Sequence, residues 1–156
     1  MSDTVIYCSK QVRALWPTKL PQQWAALYPQ LFDADDVRIT LKQPRNHFAE
    51  WFTAIHLFQR DGSLALVEKY VFGTHPLKVP IYRKVVGEHK AAFDEIRREV
   101  GGQPPDLLLY SSDFRLLGFA EVKGPGDRPH ARQVRMHEII RERLAVPVEL
   151  VVVRLV

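Results

Sequence analysis

One cysteine, Cys8, stands in the 156-residue chain. A single thiol excludes an internal disulfide and any zinc site built from several cysteines. It fits a reducing compartment, with a small buried hydrophobe as its expected role. Long apolar runs are missing as well. The opening stretch carries Asp3, Lys10 and Arg13, so it reads as neither a secretory signal nor a membrane anchor, and a cytoplasmic protein with no membrane partner is expected. The six histidines make no HxxxH or HExxH pattern, and His130 and His137 read as surface or supporting groups rather than metal ligands. No P-loop and no GxGxxG precedes a helical stretch, which sets nucleotide-driven chemistry aside. Internal repeats and low-complexity tracts are absent too.

What the chain does contain is an ordinary globular mixture, with 46% hydrophobic and 26% charged residues. Its length suits a single domain around one core. The formal charge of +4 and a pI near 9.3 favour a polyanionic partner without specifying one.

Residues 1–46 are rich in Pro and Trp and read as a lead-in that packs on the core or at a dimer contact. Pro21 opens a short helix there, with Trp24, Leu27 and Leu31 on one face. Asp33-Ala34-Asp35-Asp36 reads as a turn and Val37 to Leu41 as a short strand. Residues 47–156 hold the main unit. Phe48, Phe52, Ile55 and Phe58 recur at helical intervals behind Asn46 as N-cap, with Thr53, His56 and Arg60 as the polar stripe. Ser63 to Phe72 suits a strand, although Leu64, Leu66 and Tyr70 leave a helix open. Lys90 to Val100 predicts an amphipathic helix stopped by Gly101-Gly102 and Pro104-Pro105. Leu107 to Tyr110 and Leu116 to Lys123 predict two strands joined by the Ser111–Phe114 turn. A helix with Pro129 in its first turn then runs to about Leu144, and Val148 to Val153 form a closing strand.

The chemistry gathers on those two strands. Side chains alternate along a strand, so Glu121 and Lys123 share a face while Val122 points to the opposite layer. If the strands pair through their turn, Asp106 arrives within a residue or two of Glu121. Two carboxylates that close repel unless a cation lies between them, and hard oxygen ligands select Mg²⁺ or Mn²⁺ over zinc. Lys123 would then orient the attacking water and offset transition-state charge.

Pro105-Asp106, fourteen intervening residues, then Glu121-Val122-Lys123 resemble the PD-(D/E)XK nuclease signature. The continuation Gly124-Pro125-Gly126-Asp127-Arg128, followed by Gln133, resembles the VRR-NUC branch, the virus-type replication-repair nucleases that include the nuclease domain of the Fanconi-associated nuclease. The likeness covers about residues 87–156 and thins towards His47; residues 1–46 lie outside it. It implies an α/β restriction-endonuclease-like core, a mixed sheet flanked by helices in the order α-β-β-β-α-β. It also implies Asp106 and Glu121 as metal ligands, Lys123 as the catalytic lysine, and a backbone carbonyl of Val122 on the metal. The family places a further glutamate on its first core helix, for which Glu50 is the candidate and Glu68 the rival. Gln133 would brace Lys123 or touch substrate. The implied reaction is hydrolysis of DNA phosphodiesters to a 5′-phosphate and a 3′-hydroxyl. Branched DNA is the implied target, a four-way junction for a stand-alone homodimer or a flap.

Blander readings stand beside these. Glu121 and Lys123 alone suit a charge pair on a solvated face, and Asp106 suits turn chemistry. Gly124 and Gly126 end a strand, yet their backbone freedom would also let the chain approach a phosphate. Arg128, Arg132 and Arg135, spaced four and three apart, predict one basic stripe for DNA beside the metal site, or else a solvated helix face. A restriction-like nuclease on linear duplex and a noncatalytic DNA-binding module that keeps the fold are the alternatives.

Overall fold

A computed structural model describes residues 3–67, 70, 71, 75–124 and 126–156. Glu68, the rival carboxylate, lies outside the described residues. Five strands form one mixed sheet in the order β1-β5-β4-β3-β2: β1 Thr4–Cys8, β2 Leu64–Val67, β3 Leu107–Tyr110, β4 Leu116–Lys123 and β5 Val148–Leu155. β1, β5 and β4 run parallel, while β3 is antiparallel to β4 and to β2. Helices cover both faces, so the chain is an α/β protein built on a mixed sheet.

Strand alternation divides the core in two. Leu107, Leu109, Ala120, Val122, Val151 and Val153 pack with α4 (Phe48–Asp61) and the N-terminal helices. Leu108, Tyr110, Phe119 and Val148 pack on the other side with α5 (Lys78–Val86), α6 (Lys90–Val100) and α7 (Ala131–Leu144). Gly118 makes the β4–β5 crossing possible. Its φ is 154° and a Cβ there would stand 2.6 Å from the carbonyl oxygen of Pro147, a contact only glycine avoids. No helix among the described residues is long and apolar enough to cross a membrane.

The β3 and β4 spans and α6 fall where the periodicity puts them. The first 46 residues follow their reading only in part: the short helix opened by Pro21 is present, but the rest differs. Thr4–Cys8 is a sheet strand, paired in register with Val151 to Leu155, and Lys10–Ala14 forms α1. In α2 (Leu20–Leu27) Trp24 packs inward, but Leu27 is 69% exposed. The stretch read as turn plus strand is instead helix α3 (Ala34–Lys42). Asp33 and Asp36 are its capping box: each carboxylate accepts from the other's backbone N–H, at 2.9 and 3.0 Å. Local satisfaction of the first-turn N–H groups therefore outweighs the β-branched character of Val37, Ile39 and Thr40.

α4 is capped by His47 in a left-handed conformation, φ 75°, rather than by Asn46. Thr53 belongs to the buried face rather than the polar stripe. Of the strand expected over 63–72, β2 takes Leu64–Val67 and Tyr70 and Val71 form a turn, while Glu68, Lys69 and Phe72 lie outside the described residues. α5, missed in the sequence reading, carries a buried ion pair. Lys78 reaches Asp36 of α3 and also donates to the Val67 carbonyl at the end of β2. Burial outweighs the pull of Lys78 and pushes the Asp36 carboxyl up to about 6.

Candidate functional site

Pairing through the Ser111–Phe114 turn sets Leu107 opposite Ala120, so Asp106, one residue earlier, comes level with Glu121. The Asp106 Oδ2 accepts a 2.9 Å hydrogen bond from the backbone N–H of Val122. Within a strand, one residue's N–H and C=O point to the same neighbour. The Val122 carbonyl is therefore directed to the side where Asp106 lies, past the start of β3. Asp106, Glu121 and Lys123 thus meet where the antiparallel start of β3 adjoins the end of β4.

Glu121 faces α7 and is 3% exposed. Its Oε1 accepts from Gln133 Nε2 at 2.7 Å and lies 3.5 Å from Lys123 Nζ; its Oε2 lies 3.4 Å from His137 Nε2. The helix start fixes Gln133. His130 is the N-cap of α7, Gln133 stands at the third helical position, and Gln133 Oε1 accepts from the His130 N–H at 3.1 Å. With its oxygen held by that box, the amide turns its NH₂ towards Glu121. Gln133 therefore braces Glu121, not Lys123. His137, one turn on, touches the same carboxylate, and the 133/137 spacing in the sequence was the signal for it. Tyr70 closes the floor by donating to the Pro105 carbonyl at 2.8 Å. Burial, with Tyr82, Asp106 and Glu121 adding negative charge, pushes its phenol well above the ordinary value.

The remaining expected residues scatter around this centre. Glu50, in the first turn of α4, lines a cavity of about 580 Å³ with Val122 and Gly124. Glu121 and Gln133 line another of about 340 Å³. Because Val122 and Glu121 point to opposite faces of the sheet, the structure does not bring Glu50 into the Glu121 cavity.

The arginine stripe divides in the same way. α7 begins at Ala131, with Pro129 ahead of the cap rather than in the first turn, so Arg128 is not on the helix. It lines a third cavity, of about 1050 Å³, with Lys123 and Gly126. Arg132 packs against Gly102 beside the Glu121 cavity, and Arg135 pairs with Glu99 of α6 at 3.8 Å. Of the two glycines, Gly126 has the positive φ, 81°, that favours glycine. Gly124 receives the Asp127 N–H on its carbonyl, 3.1 Å.

The donors for a divalent ion are of the right kind: two carboxylates at adjoining strand ends and a backbone carbonyl, all hard oxygen, a number sufficient for Mg²⁺, which keeps several waters. Among the described residues no three or more acidic, histidine or cysteine side chains are gathered as a metal cage. No protein-family model matches the chain, no curated protein matches it and no solved structure matches it.

Proposed function

We propose that this chain is a divalent-metal-dependent DNA endonuclease of the VRR-NUC kind, hydrolysing phosphodiester bonds in branched DNA, four-way junctions or flaps, and working as a homodimer. One observation carries the reading: a buried carboxylate, Glu121, beside a half-buried lysine, Lys123, at the end of one strand, with Asp106 tied to the intervening residue. A surface ion pair needs neither the burial nor the amide and imidazole that hold Glu121. Asp106, Glu121 and the Val122 carbonyl would hold Mg²⁺ or Mn²⁺. Such an ion supplies a bound water acidic enough to attack near neutral pH and offsets charge on the phosphate.

The chain's own groups do the rest. Gln133 and His137 hold Glu121 in one rotamer, which fixes the direction of its oxygens. Lys123 Nζ, on the same face, orients the attacking water and stabilises the extra negative charge on the phosphate in the transition state. Arg128, beside Lys123 in the same cavity, would contact a neighbouring phosphate. A two-fold dimer would present two such centres to the symmetric strands of a junction.

The test is incubation of the purified chain with Mg²⁺ or Mn²⁺ and labelled junction, flap, single-stranded and linear duplex DNA. Cleavage of the branched substrates is expected. Asp106→Asn, Glu121→Gln and Lys123→Ala should each abolish it with folding and DNA binding largely kept. Undiminished cleavage by any of the three would overturn the assignment, and preference for linear duplex would make the enzyme restriction-like. A noncatalytic DNA-binding module is favoured by a different observation: both Glu121 oxygens already have protein partners. Tight DNA binding with no cleavage under either metal would select that reading.

A further inference from the structure

The parallel strands place a second group of charges at this end of the sheet. β1, β5 and β4 all finish there, but not level. Lys123, the last residue of β4, is in register with Val152, whereas Cys8, the last of β1, is in register with Leu155. At about 3.3 Å per residue, β1 and β5 overhang β4 by roughly 10 Å. The overhang is tied down by two backbone bonds, Lys10 N–H to Val156 O at 3.0 Å and Val156 N–H to Cys8 O at 2.9 Å. α1 therefore begins on the ledge, with Lys10 and Arg13 above the end of β4.

Two cavities flank the ledge and share Asp127 and Leu155. The larger is lined by Lys10, Lys123, Arg128 and Arg154, and the smaller by Arg13 and Arg45. Against these six cations stand three carboxylates, Asp3, Glu50 and Asp127. Among the described residues none of Lys10, Arg13, Arg45, Arg128 and Arg154 makes an ion pair, unlike Arg60, Arg135 and Arg143 elsewhere on the surface. Arg13 is held over the Phe48 ring, 4.9 Å from its centroid.

We infer that the N-terminal segment, through Lys10, Arg13 and Arg45, is a phosphate-gripping surface for a double-stranded arm of DNA, continuous with Lys123 and Arg128. The cations suit a polyanion whose charges recur along a groove. Among the described residues, Phe48 is the only phenylalanine, tyrosine or tryptophan in the two linings, and it is buried beneath Arg13. The surface therefore offers no such ring on which unpaired bases could stack, as a single-strand site requires. The inference rests on the nuclease reading only for the identity of the polyanion.

The experiment is fluorescence anisotropy with labelled duplex and single-stranded DNA in EDTA, over a series of salt concentrations. It compares the unaltered chain, Lys10→Gln/Arg13→Gln/Arg45→Gln, the milder Lys10→Gln/Arg45→Gln at two exposed positions, and a control, Arg83→Gln/Lys84→Gln/Arg115→Gln. Duplex should bind more tightly than single strand. The triple variant should lose tenfold or more in low-salt affinity and flatten the slope of log affinity against log salt by roughly 2–3, about 0.9 for each phosphate no longer neutralised. The double variant should flatten it by roughly 2, and the control should change neither quantity. Preference for single strand, no duplex binding, or variants no weaker than the control would overturn the surface. Because no cleavage is read, a chain that binds in this way but never cuts would sink the nuclease reading alone. One that cuts while the variants bind unchanged would sink this surface alone.

Discussion

Replacing Gln133 by methionine keeps the length of the side chain and its helix preference while deleting two hydrogen bonds of different kinds. One is the 3.1 Å acceptance from the His130 N–H, the return half of the α7 capping box; the other is the 2.7 Å donation to Glu121. Losing a cap interaction costs about 1 kcal/mol. Losing a hydrogen bond to a charged group costs about 1.5–3 kcal/mol, and Glu121, 3% exposed, has little water to replace it. The sum is roughly 2–4 kcal/mol, and at about 2–4 °C per kcal/mol for a chain of this size the melting temperature should fall by roughly 5–15 °C. His130→Ala removes only the contact from the imidazole to the Gln133 N–H, 3.4 Å, and leaves Glu121 untouched, so it should cost about 1 kcal/mol or less. Urea denaturation of both variants separates the cap from the carboxylate. The same pair read in a cleavage assay should separate further: Gln133→Met loses about 10–100-fold, the usual cost of removing a partner that orients a ligand, and His130→Ala loses little. If Gln133→Met were no less stable than His130→Ala and cut as well as the parent chain, Gln133 would be a helix-surface residue and the account of a braced Glu121 would fail.

Lys78→Met should destabilise by about 3–5 kcal/mol, because it strands the buried Asp36 carboxylate and removes the donor to the Val67 carbonyl. Asp36→Asn/Lys78→Met should recover most of that loss, and a denaturation cycle without recovery would deny the coupling. The folded Asp36 carboxyl stands at about 6 against an ordinary 3.8, so the folded state holds a proton that the unfolded state releases. Its contribution is greatest below the unfolded value and is lost as pH rises through about 6, on the order of 3 kcal/mol. The parent chain should therefore lose more stability between pH 4 and pH 7 than the double variant, and equal losses would refute the assignment. Gly118→Ala forces a Cβ to 2.6 Å from the Pro147 oxygen. It should cost roughly 1–3 kcal/mol or more, and an unchanged urea midpoint would show that the β4–β5 crossing has slack.

The legible parts of this chain are those where local pattern and tertiary need agree. β3, β4 and α6 are short, strongly patterned and bounded by Gly and Pro, so their spans could be read directly, and with them the meeting of Asp106, Glu121 and Lys123. Within the N-terminal segment the Pro21 helix was legible, and two other stretches were misread for separate reasons. Thr4–Cys8 carries a strand composition of its own in Thr4, Val5, Ile6 and Tyr7, a local signal the reading passed over, whereas its parallel partner β5, more than 140 residues away, leaves no local mark. Val37, Ile39 and Thr40 look like a strand, but the Asp33–Asp36 capping box and the buried Lys78 partner hold them helical. Glu50 illustrates a third limit. Its helix was legible, yet which face of the sheet that helix covers is a matter of topology, and this decides that Glu50 opens beside Val122 rather than Glu121.

The location of the cluster follows from the change of strand direction across the sheet. β4 has an antiparallel neighbour on one side and a parallel one on the other. Beside an antiparallel neighbour, the end of one strand adjoins the start of the next, which brings Asp106 to Glu121 through the five-residue connection 111–115. Beside a parallel neighbour, ends adjoin ends, and strands of unequal length leave a ledge. Asp106 therefore comes to Glu121 from the antiparallel side of β4 and the cations Lys10 and Arg154 of the ledge from its parallel side, with Glu121 and Lys123 on β4 between them. An all-antiparallel sheet would put the start of β5, not its end, beside Lys123, and the basic overhang would fall at the far end of the strand, out of reach of the carboxylates.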